Sequence, residues 1–220
     1  MPVITLYLDV VSPYTFLTLA VLKRYKTEWG FNLILKPTCL RDVCIESRNT
    51  PPMATPAKYQ WMLMSDLPLA SQFYGVEYTF PTTFPFSTLD AMCMLRAVEE
   101  KYGQGQELDK AVDGFFAAVW QPSASLPAVE ALKPENLPKV AAMCLPKSNI
   151  EELLQLASSN GIKEKLKSES AAVVKEGAFG FPWIVVERDD GQKRSFFGSD
   201  RFEQIAFWLG KEWKGPLSRA

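Results

Sequence analysis

Ser12 stands where two sequence patterns meet, in the run Asp9-Val10-Val11-Ser12-Pro13-Tyr14-Thr15. Before it, Val3 to Leu8 is almost continuously apolar and rich in β-branched residues, as in a buried strand. After it, Pro13 occupies a position that suits the first turn of a helix. A helix start presents unpaired backbone N–H groups and the positive end of the dipole. That environment holds anions, thiolates included. The Ser12 hydroxyl would either cap its own helix or donate to a ligand's negative sulfur.

Three further segments carry polar groups at backbone turns. Gly177-Ala178-Phe179-Gly180-Phe181-Pro182 leads into a strand, and a cis bond at Pro182 would free the Phe181 N–H and C=O to hold an extended peptide. An ordinary strand-start proline explains the same residues. In Phe196-Phe197-Gly198-Ser199-Asp200-Arg201, the Ser199 N–H and the Asp200 carboxylate would take the two ends of an amino-acid group. A plain N-cap is the structural alternative. Asn49-Thr50-Pro51-Pro52 and Lys58 lie after the second strand, where Lys58 would pair with a ligand carboxylate or simply face water.

The elements that must position these segments follow from periodicity. Tyr14, Leu17, Val21, Tyr25 and Trp29 recur at helical spacing, and Gly30 ends the helix. Phe31 to Leu35 reads as a second strand, completing a βαβ unit. Pro37 to Pro56 reads as loop. Helices are expected over Lys58–Phe73, Ser87–Tyr102, Leu108–Trp120, Asn136–Met143, Asn149–Ser158 and Gly161–Glu176. The Phe80-Pro81 and Phe84-Pro85 steps interrupt helix between Tyr78 and Phe86. Pro182 to Glu187 and Lys193 to Phe197 form a hairpin about Asp189-Asp190-Gly191. A last helix starts at Gly198-Ser199-Asp200, with Asp200 and Glu203 spaced as a capping pair. The order βαβ, helical block, ββα is an α/β architecture. Residues 1–59 and 176–220 would form one sheet-bearing domain, and residues 60–175 an all-helical insertion.

Composition narrows the chemistry. Nearly half of the 220 residues are hydrophobic, so the chain can build a core. The net charge is −1, with no basic run to hold a nucleic acid. There is no histidine, which removes Ser-His-Asp and Cys-His pairs and HExxH zinc sites. The four cysteines (Cys39, Cys44, Cys93 and Cys144) include no Cys-x-x-Cys, so no metal is expected and reduced thiols are. A Cys39–Cys44 disulfide is sterically open but unforced. No run approaches the roughly 18 apolar residues of a membrane span. The start, Met1 to Asp9, lacks a signal peptide's basic and apolar regions. An intracellular protein is expected, with Ser218-Arg219-Ala220 an imperfect echo of a peroxisomal tail.

These segments, in this order and at these separations, resemble the kappa-class glutathione transferases and the related 2-hydroxychromene-2-carboxylate isomerases, of the DsbA-like branch of the thioredoxin fold. The resemblance covers nearly the whole chain. It implies a thioredoxin-like fold with a helical insertion and glutathione as co-substrate. Ser12 would sit beside the glutathione sulfur, with Pro13 and Tyr14 completing that loop. Asn49 and Lys58 would contact the tripeptide. Phe181, before Pro182, would pair its backbone with the cysteinyl part, and Ser199 and Asp200 would hold the γ-glutamyl end. It further implies a homodimer acting on a small hydrophobic electrophile, in cytoplasm, mitochondrion or peroxisome. Relatives often carry a smaller aliphatic residue where this chain has Phe181, which would reshape the second-substrate pocket.

Three rival readings share these residues. An isomerase would use the same thiolate as a transient nucleophile. A dithiol oxidoreductase would need Cys-x-x-Cys where Ser12 and Thr15 stand, and both sulfurs are missing. A non-catalytic glutathione-binding module would bind without turnover.

Overall fold

The computed structural model describes residues 1–217, so the tail Ser218-Arg219-Ala220 lies outside the described residues. The two β-bearing ends of the chain meet in one four-stranded sheet of order β2-β1-β3-β4. Strand β1 (Val3–Leu8) runs parallel to β2 (Asn32–Pro37), with Val3 opposite Asn32 and Leu8 opposite Pro37. Strand β3 (Trp183–Glu187) is antiparallel to β1, with Tyr7 opposite Trp183. Strand β4 (Lys193–Phe197) pairs with β3 and forms the far edge. The second strand extends two residues beyond the expected Leu35, ending on Pro37, which an edge strand tolerates.

Helix α1 (Pro13–Trp29) obeys its sequence signals. Pro13 opens it, and Gly30 closes it at φ 62°, donating its N–H to the Lys26 carbonyl. Two expectations about the next segment need correction. The stretch from Pro37 to Pro56 is not all loop, because it holds α2 (Leu40–Glu46) and a 3₁₀ turn at Pro52–Ala54. The cause is tertiary: the Leu40 N–H at the start of α2 donates to the Asp9 carboxylate at 2.9 Å. The single helix expected over Lys58–Phe73 is instead α3 (Pro56–Trp61), a π-helical turn (Met62–Asp66) and α4 (Leu67–Tyr74). Pro68 explains the break, since its ring would clash with the carbonyl four residues back in a regular helix and the wider turn relieves it.

The remaining helices are α5 (Leu89–Tyr102), α6 (Gln106–Trp120), the short unexpected α7 (Ala128–Ala131), α8 (Leu137–Cys144), α9 (Ile150–Ser158), α10 (Asn160–Lys175) and α11 (Phe202–Leu209). One apolar cluster runs from Ile4, Leu6 and Leu8 of β1 through Phe115, Phe116 and Trp120 of α6 to Leu153 of α9. The helical block is therefore packed into the same core as the sheet. Full burial of Phe115 and Phe116 favours this packing by roughly 2 kcal/mol each. A smaller cluster, with Val43, Val173 and Trp183, covers the opposite face of the sheet.

Candidate active site

The loop from β1 to α1 is held from three directions before its own side chains are considered. Asp9 is buried, and its carboxylate accepts from the Val11 N–H at 3.1 Å, the Leu40 N–H at 2.9 Å and the Thr88 hydroxyl at 2.8 Å. These bonds tie the loop to the starts of α2 and α5. Burial raises the Asp9 pKa, and the backbone hydrogen bonds partly offset that rise. The buried Trp120 indole donates to the Val10 carbonyl at 2.8 Å, fixing the loop from α6.

Ser12 occupies the N-cap of α1 with an extended backbone, φ −87° and ψ 113°. Its hydroxyl oxygen accepts from the Thr15 N–H at 3.2 Å. Its proton is donated across to the Phe181 carbonyl at 3.4 Å. Capping and donation do not compete at Ser12, because they use different parts of one hydroxyl. Pro13 is buried at the first helical position. The Tyr14 hydroxyl donates to Asp66 at 2.5 Å, and burial together with that carboxylate lifts the Tyr14 pKa far above its ordinary value.

The Phe181-Pro182 bond is cis. Asn49 donates from Nδ2 to the Phe179 carbonyl at 2.6 Å, bracing the approach to Phe181. Gly180 fits because a Cβ there would lie 3.0 Å from the Phe197 ring and 3.4 Å from Asn49 Nδ2.

At the third segment the structure corrects the expected helix start. Helix α11 begins at Phe202, its N-cap is Arg201, and no side chain caps it. Gly198 adopts φ 103°, and Asp200 folds back so that its Oδ1 would lie 2.6 Å from a Cβ at Gly198. The carboxylate makes no cap hydrogen bond to the amides of α11. Asp200 is exposed and pairs loosely with Arg201 at 3.5 Å. Ser199 is buried, and its carbonyl accepts from the Tyr74 hydroxyl at 2.5 Å.

A cleft of about 540 Å³ brings Tyr14, Phe181, Pro182, Ser199 and Asp200 together. Ser12, Pro13 and Asn49 are not among the lining residues; Ser12 is joined to the cleft by its hydrogen bond to Phe181, and Asn49 bonds to the Phe179 carbonyl two residues before it. Lys58 is exposed on α3 and stands outside the lining. The opposite wall was not expected from the sequence: Trp61, Asp66, Leu69, Phe73 and Tyr74, from α3 to α4. One signal was present. The segment holds more large apolar residues than one buried face needs, and Trp61, Leu69 and Phe73 remain 58%, 67% and 55% exposed.

Burial raises the pKa of all four of the protein's thiols. All four cysteines are free. Burial pushes the Cys39 thiol up to about 12, with Asp9 adding to the rise, and the Cys144 thiol up to about 11. None of the four lines the cleft.

Comparison with known proteins agrees with this architecture. The DsbA-like thioredoxin domain family matches residues 3–209. Glutathione S-transferase kappa 1 of Rattus norvegicus is 32% identical, over 98% of this chain and 94% of the relative. The protein of that name from Homo sapiens is 31% identical, over 99% and 95%. Among solved structures, a 2-hydroxychromene-2-carboxylate isomerase superposes with a TM-score of 0.74 at 22% identity, covering 94% of each chain. The chain belongs to the DsbA-like thioredoxin family and, within it, to the family of kappa-class glutathione S-transferases.

Proposed function

We propose that this chain is a glutathione transferase in which Ser12 holds the sulfur of bound glutathione as a thiolate. The observation that carries the reading is the state of the Ser12 hydroxyl. Its cap bond to Thr15 is made through oxygen, and its proton rests on the Phe181 carbonyl at a long 3.4 Å. A thiolate at the start of α1 is a better acceptor than that carbonyl. A free thiol has a pKa near ~8.5, so at neutral pH little is ionised. The hydroxyl donor and the helix N-terminus both favour the charged form and lower that value.

The thiol proton passes to solvent. The sulfur then attacks an electrophilic carbon of a small hydrophobic substrate, a C–S bond forms, and the leaving group departs with its electron pair. The Phe181 backbone would pair with the cysteinyl part of glutathione. The Ser199 N–H and the Asp200 carboxylate would hold the γ-glutamyl end, which the absence of capping duty at Asp200 supports. Pro13 and Tyr14 would complete the sulfur-side loop, Pro182 and Tyr14 line the cleft, Asn49 braces Phe179, and Lys58 would reach the tripeptide's carboxylate from outside the cleft. Residues 1–59 and 176–220 would supply the tripeptide site, and the insertion of residues 60–175 the second wall.

No described helix is long and apolar enough to cross a membrane. Reduced cysteines and a glutathione co-substrate fit an intracellular setting. A homodimer is the expected assembly, with exposed Met64 and Phe207 as apolar surface; sedimentation tests it. The function itself is tested by calorimetry with glutathione and by the thiolate absorbance of the complex. Binding with a lowered thiol pKa, lost in Ser12→Ala, is the expected result.

A further inference from the structure

The cleft's charge is one-sided. Among the described residues, its lining holds two carboxylates, Asp66 and Asp200, and neither lysine nor arginine. Asp200 has Arg201 at 3.5 Å beside it. Among the described residues Asp66 has no cationic partner, and only the neutral Tyr14 hydroxyl donates to it. Asp66 closes the π-helical turn, and exposed Trp61, Leu69 and Phe73 flank it along α3 and α4. Apolar side chains left this exposed around a cleft are covered when an apolar molecule enters it. Once the γ-glutamyl ammonium occupies Asp200, Asp66 is the formal charge of the protein's own that a second substrate meets beside the glutathione thiolate. Partial exclusion of water by the three apolar side chains strengthens its field.

Resting on the proposed glutathione reading, we propose that the α3–α4 wall selects uncharged aromatic electrophiles and rejects carboxylates, with Asp66 as the discriminating residue. A flat neutral ring gains burial against Trp61 and Phe73. A carboxylate on the same ring gains that burial but meets Asp66 with no lysine or arginine among the described lining residues to compensate. The same reasoning disfavours turnover of 2-hydroxychromene-2-carboxylate in this cleft.

The test compares a chlorodinitrobenzamide with the chlorodinitrobenzoate of the same substitution pattern, since the pair differs in charge on one core. Each kcat/KM is divided by the rate with free glutathione thiolate, which removes intrinsic reactivity. The corrected ratio should favour the amide by about tenfold or more. High salt should narrow it. Asp66→Asn, whose amide oxygen still accepts from Tyr14, should shrink the ratio several-fold. Trp61→Ala should weaken both substrates and leave the ratio unchanged. Equal corrected rates in the native protein, or a ratio that Asp66→Asn leaves intact, overturn the proposal. Binding of the unreactive dinitrobenzamide and dinitrobenzoate, read by quenching of Trp61 against a Trp61→Phe reference, decides the charge preference independently of turnover. Failure of glutathione to bind in calorimetry overturns the transferase reading. Equal binding of the two dinitro probes overturns the charge inference.

Discussion

Two helix starts face the same cleft, and they are built in opposite ways. At α1 the serine is buried, caps its own helix and still has a proton to give. Its loop is anchored by Asp9 and Trp120. At α11 the acid is exposed, caps nothing and folds back over Gly198. Its main support is the Tyr74 hydroxyl on the Ser199 carbonyl. A buried, well-anchored donor suits a reacting atom that must sit in one place. An exposed carboxylate suits the charged end of a substrate that must arrive and leave.

The anchoring of the first start gives the largest expected effect. Asp9→Ala leaves the Val11 N–H, the Leu40 N–H and the Thr88 hydroxyl without their acceptor. Orphaned buried donors cost about 1–3 kcal/mol each, and partial rehydration brings the total to about 3 kcal/mol. Urea midpoints should fall accordingly, and native-like stability would break the claim that Asp9 anchors the loop.

Ser12 comes next, and its two duties separate by choice of variant. A charge-assisted hydrogen bond contributes about 1.5–3 kcal/mol, so removing the hydroxyl should lower kcat/KM by roughly 10- to 100-fold. Ser12→Ala also loses about 1 kcal/mol of cap stability, whereas glycine at an N-cap loses only a few tenths. Ser12→Gly should therefore be nearly as stable as the native chain and as inactive as Ser12→Ala. Thermal unfolding and conjugation of a chlorodinitrobenzene check both halves. Activity that tracks stability would mean that Ser12 is only a cap.

The second start predicts a milder split. Asp200→Asn should raise KM for glutathione by up to about fivefold, the scale of an exposed ion pair, with kcat little changed. Its stability should stay within about 0.5 kcal/mol of native, because the carboxylate caps no helix. A larger loss of stability would show that Asp200 supports α11 after all.

Both starts looked alike in the sequence, and the reason is general. Ser before Pro and Asp three residues before Glu are local signals, and each fits a cap. What distinguishes them is distant: Phe181 receives the Ser12 proton from 169 residues away. The strands and most helices were legible because each carries its own periodicity. The π-helical turn at Met62–Asp66 was not, since Pro68 marks a break without saying what shape it takes. The start of α2 escaped because its capping acceptor, Asp9, belongs to another element. Asp66 was missed as a lining residue for the same reason, because only the packing of α4 against α1 brings it to Tyr14.

Tyr74 provides the smallest and most specific probe of the contrast. Tyr74→Phe removes one hydrogen bond, to the Ser199 carbonyl, and should cost about 1 kcal/mol. The native pKa of Tyr74 is raised, first by burial and then by Asp200. A raised value means that the folded state favours the protonated hydroxyl. The stabilising contribution is then full below the ordinary tyrosine value of 10.0 and is lost as pH climbs through the higher folded value. Native protein should lose stability above about pH 10 more steeply than Tyr74→Phe, and the gap between their urea midpoints should close there. Because the Tyr74 hydroxyl donates to the second start, and the substitution keeps the rest of the residue, glutathione KM should rise with its loss while the thiolate signal at Ser12 holds. A fall in that signal would show that the two starts are one mechanical unit, and the division of labour between them would fail.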